Sequence, residues 1–369
     1  MTHDASSQSV LDFVYQARPG RVVFGAGSLQ YLEREVLALG AERALILCTP
    51  EQRSTAEAIT SRLGARAAGL FDRATMHVPM EIAREARDRA SSLKADCGIA
   101  VGGGSTIGLG KAIALESALP ILAIPTTYAG SEMTPIYGLT EAGLKRTGTD
   151  IRVLPRTVIY DPELTLTLPV DLSVASGINA IAHAAEGLYA RDSNPVMSLM
   201  AEEGIRALGQ GLPSIVVCSE GLQARAQALY GAWLCGTVLG NVGMALHHKL
   251  CHTLGGSFNL PHAQTHTVVL PHALAYNAGA APEAMRRMAR ALGADDGARD
   301  AANRVYELAR TCGAPLALRE LGMSAADLDR AADIASSNPY WNPRPIERDG
   351  LRELLQDAFD GVPPRTHEL

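Results

Sequence analysis

Three histidines and a lysine stand close together in one short, largely apolar stretch, HHKLCHTLGG at positions 247–256. Six of the chain's ten histidines lie between His247 and His272, so the stretch is a local concentration rather than background. On a helix, residues four apart share one face, which places His248 beside His252 and turns His247 away from both. Imidazole rings transfer protons, donate hydrogen bonds or bind metals, and the stretch predicts one of these roles.

A second pair of polar side chains has the same spacing further up the chain. Asn179 and His183 stand four apart in SGINAIAHAAEG, and His262 follows the first stretch in NLPHAQTH. Three histidines and one oxygen ligand are what a divalent transition metal requires. A single histidine on an apolar face is more often a hydrogen-bonded core residue. Five polar groups on predicted neighbouring helices, with His248 and His252 included, indicate a site.

A glycine-rich loop is the other chemical feature. The segment AVGGGSTIGLGKAIA runs from an apolar strand through three glycines into a helix. Glycines let a backbone approach a pyrophosphate closely, and the first turn of a helix offers free N–H groups. A glycine run can equally be a tight turn, and a rival cluster, FGAGSLQYL, follows a weaker strand. The strand–loop–helix context favours a dinucleotide site formed by Gly102, Gly103, Gly104 and Ser105.

Hydroxyl groups follow the neighbouring strands. Thr126 and Thr127 stand at the end of PILAIPTT, where open α/β sheets bind ligands. After ALIL, many dinucleotide enzymes carry an acidic residue for the adenosine ribose, but here Thr49 or Pro50 holds that position and Glu51 comes late. We therefore expect Thr49 near the cofactor, and the choice between NADH and NADPH stays open.

The elements that must position these residues change character partway along the chain. First, short apolar runs such as RALILC, CGIAVGGG, PILAIPTT and TVIYDPEL alternate with helical patterns, which predicts a parallel sheet covered by helices. Later, long stretches (175–191, 196–210 and 222–254) have helical spacing of apolar residues. The prediction is an α/β dinucleotide-binding domain at residues 1–162 and an all-α substrate and catalytic domain at residues 163–369.

Size and composition bound the class of protein. The 369 residues are 47% hydrophobic and 20% charged with a formal net charge of −6, which suits two globular domains and argues against nucleic-acid binding. No apolar run is long enough to cross a membrane, and the polar start MTHDASSQSV lacks the pattern of a signal peptide. The six scattered cysteines predict buried free thiols in a reducing compartment. We expect a cytoplasmic protein.

These segments, with PTTYAGSEMTPIYGLTE, RVLPRTVIYDPEL, HHKLCHTLGGSFNLPHAQTHTVVLPHALAYN and NPRP, resemble the iron-containing (group III) alcohol dehydrogenases over nearly the whole chain. The resemblance implies the dehydroquinate-synthase-like fold, NADH or possible NADPH as the cofactor, and a homodimer. It implies metal ligands at Asn179, His183, His248 and His262, but the family has an aspartate at the first position. An amide removes one negative charge from the ligand set. We therefore expect no tightly bound metal, and at most weak occupancy at the three histidines.

Within the family, PTTYAGSEMTPI and HHKLCH are typical of the branch that reduces maleylacetate, a dicarboxylate, to 3-oxoadipate in the degradation of aromatic compounds. That reaction needs a cation for a carboxylate or an enolate oxygen, and a proton donor for the neighbouring carbon. The resemblance implies Lys249 as the cation and His252 as the proton donor. It also implies substrate contacts at Asn179, Tyr128 and Arg344, and at His183, His248 and His262, which would donate hydrogen bonds and carry positive charge. Lys145 would contact the cofactor, although a solvated loop at Lys145 and a structural role for Arg344 stay open.

Other functions stay open as well. A metal-dependent alcohol or aldehyde reductase of the same family would need the aspartate that Asn179 replaces, and Lys249 also argues against it. A metal-dependent lyase on the dehydroquinate synthase scaffold would need a full set of metal ligands and more basic residues for phosphate. A nucleotide-binding sensor without catalysis would leave the histidines unexplained. The sequence does not reveal the degradation pathway or the acceptance of halogenated substrates.

Overall fold

Short apolar runs flanked by helices form the sheet that the first half of the sequence predicts. The computed structural model describes residues 13, 15–18, 20–141, 144–294 and 301–365, with the backbone alone at Leu144 and Lys145. The strands are β1 (Arg21–Phe24), β2 (Ala44–Leu47), β3 (Ala67–Phe71), β4 (Cys97–Gly102), β5 (Ile121–Pro125), β6 (Ile136–Glu141), β7 (Leu144–Thr149) and β8 (Thr157–Tyr160).

Helices cover this sheet and build the second half. They are α1 (Leu32–Ala38), α2 (Arg53–Leu63), α3 (Met80–Ser92), α4 (Gly104–Ser117), α5 (Val170–Tyr189), α6 (Pro195–Val217), α7 (Leu222–Asn241), α8 (Leu246–Phe258), α9 (His262–Asn277), α10 (Pro282–Ala291), α11 (Ala301–Thr311), α12 (Leu328–Ser337) and α13 (Arg348–Asp360). Beyond β8 the described residues hold no strand. The predicted fold class, an α/β half followed by an all-α half, is confirmed. Taken singly, no described helix is long and apolar enough to cross a membrane, and α7 and α8 pass that test only as a pair bent by 96°.

The main sheet has the order β1-β8-β5-β4-β2-β3, and all its pairs are parallel. Helices lie on both faces, so β2, β4, β5 and β8 are buried along their whole length. Since β4 pairs with both β2 and β5, the carboxyl ends of these three strands meet at one edge of the sheet. That edge brings Thr49, the glycine loop after β4 and the hydroxyls after β5 to one crevice.

The segment around Lys145 is a strand rather than a solvated loop. β6 and β7 form an antiparallel hairpin outside the main sheet, in which Lys145 pairs with Thr140. The sequence pattern missed β7 because LKRTGT is polar and has no apolar alternation. The side chain of Lys145 lies outside the described residues, so its predicted cofactor contact stays a prediction.

Helix α5 is the central helix of the second half. Every residue from Ser173 to Tyr189 is buried, because α6, α7 and α9 pack around it. Apolar side chains therefore surround the helix instead of forming one stripe. Asn179, His183 and Glu186 lie in this apolar setting, and each of them needs a polar partner there because water cannot reach it freely.

Glycines bring the backbones of the two halves into direct contact. A Cβ atom on Gly130, in the loop after β5, would lie 2.9 Å from the Cα atom of Gly236 on α7. A Cβ atom on Gly240, one turn further along α7, would lie 2.5 Å from the carbonyl oxygen of Met133. Both distances are too short for a real side chain, so the loop approaches α7 this closely only because these residues are glycines. We call this the glycine contact.

A buried arginine on α7 completes the junction between the halves. Arg225 is fully buried. Its guanidinium donates hydrogen bonds to the carbonyl oxygens of Ser219 (2.9 Å) and Leu168 (2.9 Å), to Ser173 Oγ (2.6 Å) and to Tyr128 Oη (3.3 Å). All four acceptors are uncharged groups. The guanidinium therefore ties the loop after β5 to the starts of α5 and α7 without an acidic partner among these contacts.

The cysteines are free thiols, as the sequence predicts. Five of the six are buried, and burial raises the thiol pKa, to about 11 at Cys48 and to about 12 at Cys97. Cys218 is exposed, so the prediction of burial is wrong for this one. It directly follows the last residue of α6, where the chain turns at the surface.

Replacing Arg225 by methionine is expected to lower the free energy of unfolding by about 2–5 kcal/mol, because several buried acceptors lose their donor. Chemical denaturation measures the change. Arg206→Met is the matched control, since Arg206 forms a partly exposed ion pair with Glu203 and such pairs contribute less than about 1 kcal/mol. An equal loss of stability in the two variants would contradict the role of Arg225.

Candidate active site

Two close contacts shape the glycine loop after β4. Gly102 has a φ of +144°, and a Cβ atom there would lie 2.7 Å from Thr106 Oγ1. A Cβ atom on Gly103 would lie 2.9 Å from Thr127 Cγ2, in the loop after β5. Larger residues are therefore disfavoured at both positions. The loop leads directly into the N-terminus of α4, and its neighbour across the crevice is the hydroxyl-bearing loop that the sequence predicts.

Polar groups without protein partners lie around this loop. The Oγ1 atoms of Thr106 and Thr126 are buried and have no hydrogen-bond partner among the described residues. Residues 103–105 are at least partly accessible at the start of α4, where backbone N–H groups and the helix dipole favour an anion. A loop that excludes side chains and leads into an accessible helix N-terminus fits a dinucleotide.

Thr49 lies just beyond the end of β2, beside the crevice, and its hydroxyl forms a hydrogen bond within its own loop. A hydrogen bond from Thr49 is the main reason that the pKa of the Glu51 carboxyl is lowered. The structure thus places Thr49 next to the predicted cofactor site, with its side chain turned to Glu51.

Four histidines form a buried histidine layer in the helical half: His183 on α5, His247 and His248 on α8, and His266 on α9. Two hydrogen bonds of 2.9 Å link them in pairs, His183 Nδ1 with His248 Nε2 and His247 Nε2 with His266 Nδ1. Burial, helped by the neighbouring histidines, holds the pKa of His183, His247 and His266 well below the usual range. These three rings are neutral near pH 7, which corrects the expectation that His183 carries positive charge.

A carboxylate that no sequence pattern singled out lies against this layer. Glu186 on α5 is fully buried and accepts hydrogen bonds from the backbone N–H groups of Ala245 (2.8 Å) and His247 (2.7 Å) at the start of α8. Its Oε2 atom also lies 2.7 Å from His248 Nδ1. A signal was present, because Glu186 is the one acidic residue in segment 173–189, and an acid in an apolar helix needs partners.

An open layer of polar side chains lies over the buried one. His252 and His262 are exposed, and Lys249 is partly exposed. The ring centre of His252 lies 6.1 Å from that of His248, and the ring centre of His262 lies 4.5 Å from that of His266. The structure thus brings the predicted histidines together, in two layers of different exposure.

Tyr340, from the segment YWNPRP, belongs to the open layer. Its hydroxyl oxygen lies 3.0 Å from His252 Nδ1, and Lys249 Nζ lies 5.7 Å from the centre of its ring. Partial burial raises the pKa of the Tyr340 phenol, so the phenol keeps its proton. The sequence singled out the neighbouring NPRP, where Arg344 was expected to contact substrate, and not Tyr340.

Two residues predicted to bind substrate have other contacts. Tyr128 is fully buried and its hydroxyl accepts a hydrogen bond from Arg225, so the ring belongs to the junction between the halves, which argues against the predicted substrate contact. Arg344 donates a hydrogen bond of 3.1 Å to the carbonyl oxygen of Tyr276 and stacks 4.2 Å from the centre of its ring. These contacts favour the structural role that the sequence left open for Arg344.

The residues at which the resemblance implies a metal form a poor ligand set. Asn179 Oδ1 is buried with no hydrogen-bond partner among the described residues, so one neutral oxygen is available. His183 Nδ1 and His248 Nε2, however, share a hydrogen bond, and a metal would need the lone pairs of both. Within the described parts of the chain, the trio whose ligand atoms lie within 4.8 Å of one another is His247, Cys251 and His266, and two of its nitrogens are already hydrogen-bonded. Asn179 thus offers a neutral oxygen where the family has a carboxylate, which argues against a tightly held divalent ion at these residues.

The loop after β5 joins the crevice to the histidine layers. The backbone of Ala129 lies close enough to the His183 ring to offset part of the fall in the ring's pKa. Ala129 stands two residues beyond Thr127, so their Cα atoms lie within about 7 Å of each other. One short loop therefore joins the cofactor loop to the histidine layers at the junction of the two halves.

Comparison with known proteins agrees with this architecture. Residues 19–162 match the model of the iron-containing alcohol dehydrogenases, and residues 173–359 match the C-terminal model of the Fe-containing alcohol dehydrogenase family. Over 352 residues the chain is 64% identical to maleylacetate reductase of Burkholderia cepacia, which covers 95% of this chain and 99% of that protein. Crystal structures of maleylacetate reductase from Agrobacterium tumefaciens (54% identity, TM-score 0.92) and from Rhizobium sp. strain MTP-10005 (52% identity, TM-score 0.92) match 95% of this chain and 99% of theirs. The chain therefore belongs to the iron-containing alcohol dehydrogenase family.

Proposed function

We propose that the chain catalyses the NADH-dependent reduction of the carbon–carbon double bond of maleylacetate to 3-oxoadipate, a step in the degradation of aromatic compounds. Relatives named for this reaction are 64% and 54% identical to the chain over nearly its whole length. The observation that carries the proposal is the open layer, where an amine and an imidazole, Lys249 and His252, meet at Tyr340 above the buried histidine layer. That pairing supplies a cation and a proton donor in one place.

The cofactor would lie at the sheet edge. Backbone N–H groups at residues 103–105, the accessible start of α4, would bind its pyrophosphate. Bound there, NADH would supply the hydride. NADPH is the alternative cofactor, because Thr49 is not an acidic residue that would repel a ribose phosphate.

The substrate carries two carboxylates and a ketone conjugated with the double bond. Hydride addition to the alkene carbon moves an electron pair onto the ketone oxygen, and the resulting enolate takes a proton on the carbon next to the ketone. Lys249 would bind a carboxylate or the enolate oxygen. The buried layer would contribute hydrogen bonds rather than charge, since His183 and His266 are neutral.

His252 is the proposed proton donor. Its Nδ1 atom lies 3.0 Å from the Tyr340 hydroxyl oxygen, so the phenol would hold the ring in place and could return a proton to it. His262 lines the same open layer and would bind the second carboxylate. The cytoplasmic location and the homodimer stay predictions from the sequence and the resemblance.

We expect NADH to be oxidised when maleylacetate is added, followed as the loss of NADH absorbance, and we expect the rate to survive thorough chelation. The poor ligand set at Asn179 and the His183–His248 pair supports this metal independence. No oxidation above a control without maleylacetate would refute the proposed reaction. A loss on chelation that only iron or zinc restores would support the metal-dependent reductase instead.

Lys249→Ala is expected to raise KM for maleylacetate about 10–100-fold, because a charge-assisted contact to the substrate is lost. His252→Ala is expected to lower kcat about 100–10,000-fold, because the proton donor is lost. Steady-state kinetics separate the two effects. Lys94→Ala, in the exposed turn after α3, is the control for loss of a lysine. Wild-type kinetics in both Lys249→Ala and His252→Ala would disprove the assigned roles.

Asn179→Asp is expected to strengthen Zn²⁺ binding about 10-fold or more, because it returns a negative charge to the ligand set. Metal content after equilibrium dialysis measures the change. Asn194→Asp is the matched control, since Asn194 caps α6 and aspartate caps a helix equally well. Equal zinc binding by the Asn179 variant and the wild type would show that the amide is not what weakens the site.

A further inference from the structure

Several hydrogen-bond donors converge on the carboxylate of Glu186. Its Oε1 atom accepts from the backbone N–H of His247 at 2.7 Å. Its Oε2 atom accepts from the backbone N–H of Ala245 at 2.8 Å and lies 2.7 Å from His248 Nδ1. A third backbone N–H, that of His248, stands 3.4 Å away. An ionised carboxylate is an acceptor at both oxygens, so it can satisfy this whole set.

The start of α8 depends on this carboxylate. The residue before α8, Ala245, has no side chain that could cap the helix. Helix α8 therefore takes its cap from Glu186 on α5, and a negative charge at this end also suits the helix dipole. Because Lys249 and His252 lie on the first two turns of α8, their positions follow from where that cap places the helix.

The same carboxylate sets the orientation of one ring. Since Glu186 Oε2 accepts, His248 Nδ1 must carry a proton. Nε2 of the same ring then points at His183, 2.9 Å away. Each ring nitrogen of His248 thus has a fixed partner. The ring cannot rotate, and its proton cannot move to the other nitrogen, without breaking a buried hydrogen bond.

We infer that Glu186 is a positioning residue for the reduction: it holds His248 with the proton on Nδ1 and fixes the start of α8, the helix from whose first two turns Lys249 and His252 reach the substrate. The inference rests on the proposed function. Residues that orient the side chains of a site commonly change activity about 10–100-fold when replaced, although they touch no reacting atom.

Glutamine is an informative replacement because it keeps the shape and loses an acceptor. In Glu186→Gln the amide nitrogen takes either the Oε1 position, opposite the backbone N–H of His247, or the Oε2 position, opposite the backbone N–H of Ala245 and His248 Nδ1. The first arrangement opposes donor to donor at the start of the helix. The second does the same at Ala245 and also requires the proton of His248 to move from Nδ1 to Nε2. Either arrangement disturbs the ring or the helix, whereas Glu186→Asp keeps a carboxylate on a shorter side chain.

The experiment combines NMR of the histidine ring nitrogens with steady-state kinetics on the full chain. In ¹⁵N-histidine-labelled wild type, the His248 signal, assigned by its loss in His248→Asn, is expected to show a protonated Nδ1. In Glu186→Gln the His248 signal is expected to move from its wild-type position, kcat to fall about 10–100-fold, and KM for NADH to stay within about twofold. Glu186→Asp is expected to restore the wild-type His248 signal and part of kcat.

Glu132→Gln is the matched control. Glu132 is as deeply buried as Glu186, but it accepts a hydrogen bond from the Tyr160 hydroxyl instead of contacting the histidines. Glu132 Oε2 has no hydrogen-bond partner among the described residues, so glutamine can keep its amide oxygen toward Tyr160 with little disturbance. This variant is expected to keep both the His248 signal and kcat.

Two results would overturn the inference: a wild-type His248 without a proton on Nδ1, or a Glu186→Gln variant whose kcat and His248 signal match those of Glu132→Gln. If Glu186→Gln does not fold, the wild-type spectrum and Glu186→Asp decide the question. If the wild type does not oxidise NADH with maleylacetate, the proposed function fails, while the ring-nitrogen spectra still test the role of Glu186.

Discussion

The active-site arrangement depends on the close approach of the loop after β5 to helix α7. Gly130 and Gly236 let backbone lie against backbone, and Gly240 does the same one turn further on. This loop begins in the cofactor crevice. Its Tyr128 accepts a hydrogen bond from Arg225, and its Ala129 backbone lies against the His183 ring. The spacing between the glycine loop and the histidines is therefore set by main-chain packing, which is stiffer than any contact between long side chains.

The charges of the cleft are divided according to exposure. Burial lowers the pKa of His183, His247 and His266 in the buried layer because a buried imidazolium would lose its hydration, and the buried carboxylate of Glu186 is matched by N–H groups. The amine of Lys249 stands in the open layer, where water solvates it when no anion is bound. In a chain with a net charge of −6, attraction for a dicarboxylate must come from such a local cation.

The sequence predicts the fold well because each central strand is an apolar run and each helix repeats its apolar residues at helical spacing. It also predicts which histidines come together, since spacing of four places His248 near His252 on one helix. It could not predict the burial of Tyr128, which depends on Arg225, a residue 97 positions away. The sequence did not single out Glu186, because most of its partners are backbone N–H groups and no pattern of side chains encodes these. The sequence did not single out Tyr340 either, because only the fold of the loop after α12 brings this residue to His252.

The exposure of Cys218 has a practical consequence for experiments on the native chain. The other five cysteines are buried, so a thiol-reactive dye or spin label would attach at the end of α6 without any substitution. That point belongs to the helical half, while a fluorescent reduced nicotinamide would sit against the sheet of the other half. Energy transfer between the two could then report the separation of the halves during turnover.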